Sequence, residues 1–235
     1  MTKLHSIKEQ TYEIIKRKIL TRQLPLGERI NVVQLSKELG VSNSPIREAL
    51  NLLEKHGLVV NVRNSGTQVV SPSVRDRYEL AQMTLFMMIG AYQYCRETGR
   101  TDQLADDLTL ALSRQKQHLD PHSGYECTYH AGVFDRCIIA ATGNRMMIKQ
   151  FDNMVPLARL CSLYDCQHGG RGCCDSLRFH EIILRAVKNH DDDLVISTLR
   201  ECYYRPAFDL RKVRPARPDG GLDDGPPEVA AIKDG

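Results

Sequence analysis

No run of about 18 uncharged apolar residues occurs in this chain, so no membrane-spanning helix is expected. Its N-terminus lacks the apolar core of a secretory signal. Both absences predict a cytoplasmic protein with no membrane partner, whose eight cysteines stay reduced. Tryptophan is missing, the apolar share of 42% is ordinary, and no internal repeat is found. Strand-like alternation is nearly absent beyond residue 70, which argues against a β-rich domain there. No positioned nucleophile or general-base motif stands out, so the chain is not expected to be an enzyme. What remains is 235 residues, enough for a small module plus one domain of roughly 140 residues.

Aspartate is also missing from the first 70 residues, which hold eleven Lys or Arg and six Glu, a balance of +5. The rest of the chain holds twenty-one basic and twenty-three acidic residues, or −2. A near-neutral whole therefore conceals a basic N-terminal module, the asymmetry expected of a nucleic-acid-binding unit.

The pattern inside that module agrees. Ile7 to Leu20 reads as a helix, with Ile7, Ile14, Ile15 and Ile19 apolar and Lys8, Lys16, Arg17 and Lys18 solvated; Pro25 and Gly27 break it. Asn31 can cap a short helix that Gly40 ends. Gly40 suits a sharp turn because glycine takes positive φ without steric cost. Ser44 is the expected N-cap of a third helix, with Pro45 at its first position and Ile46, Leu50 and Leu53 as its core stripe. Ser42, Asn43, Ser44 and Arg47 then lie on the polar side near the N-terminus, the end that a recognition helix pushes into the major groove. Leu58–Val62 and Thr67–Val70 flank Arg63-Asn64-Ser65-Gly66 as a hairpin, with Arg63 and Gly66 at a tip that can approach a phosphate. The expected fold is mainly α: an N-terminal winged helix-turn-helix of three helices plus a small β-hairpin wing (1–70), then an all-α antiparallel bundle. A linker is placed at 71–76, the helical effector-binding and dimerisation domain at 77–213, and a disordered tail rich in Pro and Gly at 214–235. The bundle helices are expected near 75–98, 101–118, 124–142, 145–164, 175–189 and 191–211, with joints at Gly99, Pro121, Gly143 and Gly169-Gly170.

Pro25-Leu26-Gly27-Glu28-Arg29-Ile30, Leu35–Ser42, Pro45–Leu50 and Gly57-Leu58-Val59 together resemble the GntR-type winged helix. The resemblance implies that Arg47 contacts DNA from the recognition helix and that Gly66 and its neighbours form the wing. Asn43 stands where this family often has Arg; asparagine pairs with adenine and arginine with guanine, so the preferred operator differs accordingly. Val33 stands where some members place a phosphate-contacting Arg. Beyond the winged helix, Phe134–Asn144 and Phe179–Val187, with Leu199-Arg200-Glu201-Cys202, resemble the FadR-like subgroup with an FCD ligand-binding domain.

That resemblance implies a divalent metal held by an Asp and three His beside a pocket for a small carboxylate. Anchored on Asn144, the four positions fall at Ala131, Asp135, His180 and Cys202. Three donors remain, and an Asp/His/Cys set favours zinc. A second register, Glu126-Cys127-Thr128-Tyr129-His130, mimics the acid-x-x-aromatic-His pattern but stands at the wrong spacing from Asn144. A degenerate site, with His180 hydrogen-bonded in a polar pocket, is the alternative. The family's Arg and Glu on the first helix of this domain fall at Thr84 and Met88, implying a less polar ligand or a pocket filled by side chains. Arg159 and Arg200 are the candidates for holding a carboxylate.

Cys161, Cys166, Cys173 and Cys174 gather with His168 and Arg171 in an apparent interhelical loop without paired Cys-x-x-Cys knuckles. Such a loop is either incidental or a redox or thiophilic-metal sensor. The leading expectation is a sequence-specific transcriptional repressor, bound as a homodimer to an inverted-repeat operator in double-stranded DNA and controlled by a small-molecule effector. The alternatives are a sensor acting through the Cys161–Cys174 loop and a metal-dependent enzyme domain tethered to DNA.

Overall fold

The computed structural model describes residues 6–119, 124–167 and 173–203. Three helices come first: α1 (Ile7–Leu20), α2 (Val32–Leu39) and α3 (Asn43–Lys55). Strands β1 (Val59–Val62) and β2 (Gly66–Val69) follow as an antiparallel pair. Among the described residues six helices then make the second domain: α4 (Val74–Glu97), α5 (Thr101–Gln117), α6 (Gly124–Ala141), α7 (Arg145–Gln167), α8 (Cys173–Lys188) and α9 (Asp192–Tyr203). The winged helix and the all-helical second domain are as the sequence predicts.

Local chemistry sets the helix starts. Ser6 and Glu9 form a reciprocal capping box at α1, and Ser73 and Asp76 do the same at α4. The Asn31 side chain accepts from Gln34 N–H at the start of α2. Gly40 ends that helix in the left-handed conformation, φ 66°, as its place in the turn requires. Asn144 Oδ1 accepts from the amides of Met146 and Met147, opening α7 after Gly143, φ 68°.

Several expectations shift. The N-cap of α3 is Ser42, whose side chain makes no capping hydrogen bond, and not Ser44. Pro45 then sits at the third helical position, still within the turn whose N–H groups have no partner inside the helix. Of the four isoleucines expected to line α1, Ile15 and Ile19 are buried but Ile7 and Ile14 face water. Tyr12 and Leu20 complete the buried face instead. Helix α4 starts inside the expected linker because Ser73 caps it. Cys166 belongs to α7, and Cys173 and Cys174 to α8, so these three are helical rather than loop residues; 168–172 lie outside the described residues. The expected tail, 214–235, lies outside them too, as do 204–211 of the last expected helix.

Two cores result. In the helical domain Met88, Tyr92, Leu108, Phe134, Ile138 and Val187 anchor a cluster fed by all six helices. The second core belongs to the winged helix, around Ile15, Ile19, Ile46, Leu53, Leu58 and Val69. It also takes in Leu160 and Leu163 of α7, and Leu157 packs on it with its Cδ2 3.2 Å from where a Cβ on Gly57 would stand. The two domains are therefore joined by apolar burial, beyond the short connection between β2 and α4.

Candidate nucleic-acid interface and effector cavity

The first candidate site is built from the α2–α3 turn and the hairpin. Ser42, Asn43, Ser44 and Arg47 are all exposed, while Ile46, Ala49, Leu50 and Leu53 turn inward on the opposite side of α3. The wing closes over Arg63-Asn64-Ser65, with Ser65 N–H donating to Val62 O and Asn64 at φ 64°. Gly66 follows at φ 79°, paired with Val62. Arg63 and Gly66 are exposed at this tip. Asn61 donates to Glu54 of α3 and accepts from Thr67, tying the wing to the recognition helix.

Sequence reasoning missed Arg29. The segment before α2 runs beside β2, with Ile30 N–H donating to Thr67 O and Arg29 bridging to Gln68. The Arg29 guanidinium thereby lies along the wing, its Nε 3.7 Å from where a Cβ on Gly66 would stand. The only trace of this in the sequence is the Gly-Glu-Arg-Ile run, whose hydrogen bonds to the hairpin are long-range.

The second candidate site is a cavity of about 170 Å³ within the helical domain. It gathers five of the seven candidate metal and effector residues: Thr84 of α4, Asp135 of α6, Arg159 of α7, His180 of α8 and Cys202 of α9. Two others lie elsewhere. Met88 is fully buried in the apolar core, because it continues the inward face of Leu85 and Tyr92 on α4. Arg200 is exposed, since Leu199 and Thr198 take the buried face of α9 and the next residue turns about 100° away.

Inside the cavity the polar groups are fixed by specific partners. The His180 ring stacks on Phe134 at 4.0 Å and is buried. Its Nδ1 stands 2.7 Å from Oε1 of the fully buried Gln115, whose amide nitrogen reaches Ser176 at 3.4 Å. A carbonyl oxygen only accepts, so Nδ1 donates this bond and Nε2 is the ring atom turned toward Asp135. Nε2 lies 3.3 Å from Asp135 Oδ1, yet that buried oxygen has no hydrogen-bond partner. Tyr203 bonds to the same carboxyl group, and burial, more than the nearby Asp135 charge, pushes its phenol pKa well up. Thr84 donates back to Leu80 O and so spends its proton within α4.

Arg159 is 7% exposed. One Nη donates to Tyr125 O at 2.9 Å, and the guanidinium lies over the Tyr125 and Tyr129 rings at 4.6 and 5.2 Å. Its Nε is buried without a partner. Burial is also the main force lowering its pKa. Arg17 of α1 sits over the same Tyr125 ring at 5.4 Å, and Arg22 and Arg77 share the Tyr164 ring.

The expected metal set can be tested against this geometry. Asp135 Oδ1 and His180 Nε2 face one another as two donors. Ala131, one turn earlier on α6, lines the cavity with a methyl group, and Cys202 lines it as well. Among the described residues no three His, Cys, Asp or Glu side chains gather closely enough to hold a metal ion. The described donors therefore amount to a pair, and the expected zinc set does not fit. His130, from the second register, stacks on His118 at 4.1 Å and does not line the cavity. Of the cysteine cluster, Cys161 is buried and lines the cavity.

Among the described residues no helix is long and apolar enough to cross a membrane. Residues 7–69 match the model for bacterial regulatory proteins of the gntR family, and residues 97–205 match that of the FCD domain. The chain is 29% identical over 189 residues to an uncharacterized HTH-type transcriptional regulator, YdhC, of Bacillus subtilis, covering 78% of this chain and 82% of that protein. It is 22% identical over 193 residues to the gluconate operon transcriptional repressor of Bacillus licheniformis, covering 80% and 78%. A crystal structure of a GntR regulator from Rhodococcus sp. RHA1 superimposes with a TM-score of 0.68 at 15% identity, over 85% of this chain and 94% of that one. These relatives are transcriptional regulators rather than enzymes. With a winged helix over one matched segment and a helical domain over the other, the chain belongs to the GntR family of DNA-binding transcriptional regulators and carries an FCD domain.

Proposed function

We propose that the protein is a cytoplasmic repressor that binds an inverted-repeat operator as a homodimer and releases it when a small molecule enters the helical-domain cavity. The observation that carries effector control is the double membership of Arg159. It lines the cavity, yet its guanidinium rests on the Tyr125 carbonyl and ring, and Arg17 of α1 covers that same ring. A ligand that draws the guanidinium inward breaks the hydrogen bond to Tyr125 and disturbs the seat of α1. Leu157, Leu160 and Leu163 on the same helix transmit the shift, because they pack into the winged-helix core. The dimer geometry that fits two half-sites then becomes the less populated one.

On DNA, Asn43, Ser44 and Arg47 read the major groove, Ser42 meets the backbone beside them, and Arg63, Gly66 and Arg29 hold the wing to phosphate. The repressor of gluconate genes among the relatives and the exposed polar end of α3 support this reading. It is tested by fragment selection on immobilised protein, followed by gel shift on the selected fragment. The expected operator is two-fold symmetric and taken up by two chains; an asymmetric site bound by one chain overturns the dimer reading. Replacing Tyr125 with Ala should uncouple cavity from operator, so that a ligand found to bind no longer releases DNA.

A further inference from the structure

The arrangement around His180 poses a chemical problem that the protein's own residues leave open. Gln115 Oε1 accepts from Nδ1, which turns the Nε2 edge of the ring toward Asp135. The Asp135 carboxylate oxygen 3.3 Å from Nε2 is buried and without a hydrogen-bond partner. Leaving a buried carboxylate oxygen unmet is costly, and a hydrogen-bond donor or a cation relieves it. With only two such donors to a metal gathered there among the described residues, an ion would be poorly held. A protonated amine has three N–H bonds and a charge, and it meets the Asp135 oxygen while balancing the carboxylate.

The opposite demand exists at the other polar end of the cavity. Arg159 Nε is buried with no acceptor, and among the described residues no carboxylate forms an ion pair with this guanidinium. A group that supplies oxygen acceptors and negative charge completes it. Six residues of α6 separate Tyr129, under the guanidinium, from Asp135, which is about 9 Å of helix rise. Leu80, Phe151, Met154, Val155 and Phe179 supply apolar wall to the same cavity.

We propose that the cavity binds an elongated ligand with a protonated amine at one end, a carboxylate at the other and an apolar body between. The amine sits on Asp135 Oδ1, beside the His180 ring and with no metal, and the carboxylate sits on Arg159. This assignment rests on the reading of the cavity as the effector site, and it names the ligand class.

The test is calorimetric titration of the full-length, chelator-treated protein with 6-aminohexanoate, whose charged ends stand at a comparable separation when extended. Hexanoate, hexylamine and adipate are titrated in parallel, each with and without added zinc. The expected result is that 6-aminohexanoate binds at least tenfold more tightly than any of the three, with no zinc dependence. Asp135→Asn, checked for folding by its thermal melt, should lower that affinity tenfold and leave hexanoate binding as it was. Adipate binding as well as the amino acid, binding that appears only with zinc, or no binding of any probe overturns the proposal. Because the titration reads binding alone, a gel shift on the same samples separates the two readings. If 6-aminohexanoate binds but the operator complex persists, the ligand class stands and the control mechanism falls. If adipate with zinc releases the operator, control stands and the ligand class falls.

Discussion

The DNA-facing end of α3 and the cavity of the helical domain handle polar groups in opposite ways. At α3, Ser42, Asn43, Ser44 and Arg47 stand in water, open to a partner outside the chain. Around the cavity, Asp135, Arg159, His180 and Gln115 are turned inward, and each has some of its hydrogen-bonding capacity met by the fold. The first arrangement costs the fold nothing, so the residues are free to vary with operator sequence. The second leaves Asp135 Oδ1 and Arg159 Nε buried and unmet, a cost that a bound ligand would relieve. One site is selected by exposure and the other by incomplete burial.

Helix α7 both lines the cavity and packs into the winged-helix core, and the sharpest test is there. Leu160 is 2% exposed and belongs to the winged-helix core although it stands on a helix of the other domain. Leu160→Ala should destabilise the protein by about 2–5 kcal/mol, the usual range for a leucine truncated in a packed core. Ile138→Ala, equally buried but within the helical-domain core, should cost a similar amount. The two are distinguished by operator affinity below the melting transition, which should fall for Leu160→Ala and hold for Ile138→Ala. Equal effects on DNA binding would show that α7 does not act as a joint.

Next in size comes Arg47→Ala. A side chain that reads a base edge contributes about 1–3 kcal/mol, so binding should weaken by about 5- to 150-fold for each half-site, with sequence preference relaxed at one position of each. Unchanged binding in a gel shift would move the recognition surface off α3. Arg29→Ala should have a smaller and different effect. As a phosphate contact from the side of the wing, it should weaken all DNA sequences alike, and the slope of log affinity against log salt should fall by about one. A change in sequence preference instead would make Arg29 a reader of the minor groove.

How much of this was legible beforehand follows from the same contrast. The recognition end of α3 was readable because its signals are local: a turn glycine, a polar N-terminus and a stripe at helical spacing within fifteen residues. Even there the N-cap was misplaced from Ser42 to Ser44, since Pro45 is tolerated anywhere in the first turn. The cavity brings together residues from α4, α6, α7, α8 and α9, and their meeting depends on packing that no single window contains. Family-like words found Asp135, His180 and Cys202, but Gln115, which orients His180, lies on α5 with nothing in its neighbourhood to mark it. Arg200 was indistinguishable from Arg159 as a charge; only the rotation of α9 about Leu199 separates them. Arg29 escaped notice because its contact with the wing crosses nearly forty residues of sequence.

The smallest expected effect concerns pH, and it separates the two regions once more. His56, at the C-terminal end of α3, bonds through Nδ1 to the hydroxyl of the buried Tyr12 at 2.6 Å. Burial lowers its pKa from the ordinary 6.5, and the charge of Lys16 lowers it further. A histidine held neutral in the fold takes up its proton more readily when unfolded. Its share of stability is therefore complete above pH 6.5 and is lost progressively as pH falls from there toward the depressed folded value. Melting curves of the wild type between neutral and mildly acidic pH should show this loss, and His56→Gln, which keeps a hydrogen-bonding group for Tyr12 but cannot titrate, should flatten it. Because the Tyr12–His56 pair packs inside the winged helix, operator affinity should weaken over the same interval in the wild type and less in the variant. If the variant loses stability with acid as steeply as the wild type, His56 is not the titrating group, and His130, whose pKa is lowered by burial and by the neighbouring His118, is the next to replace.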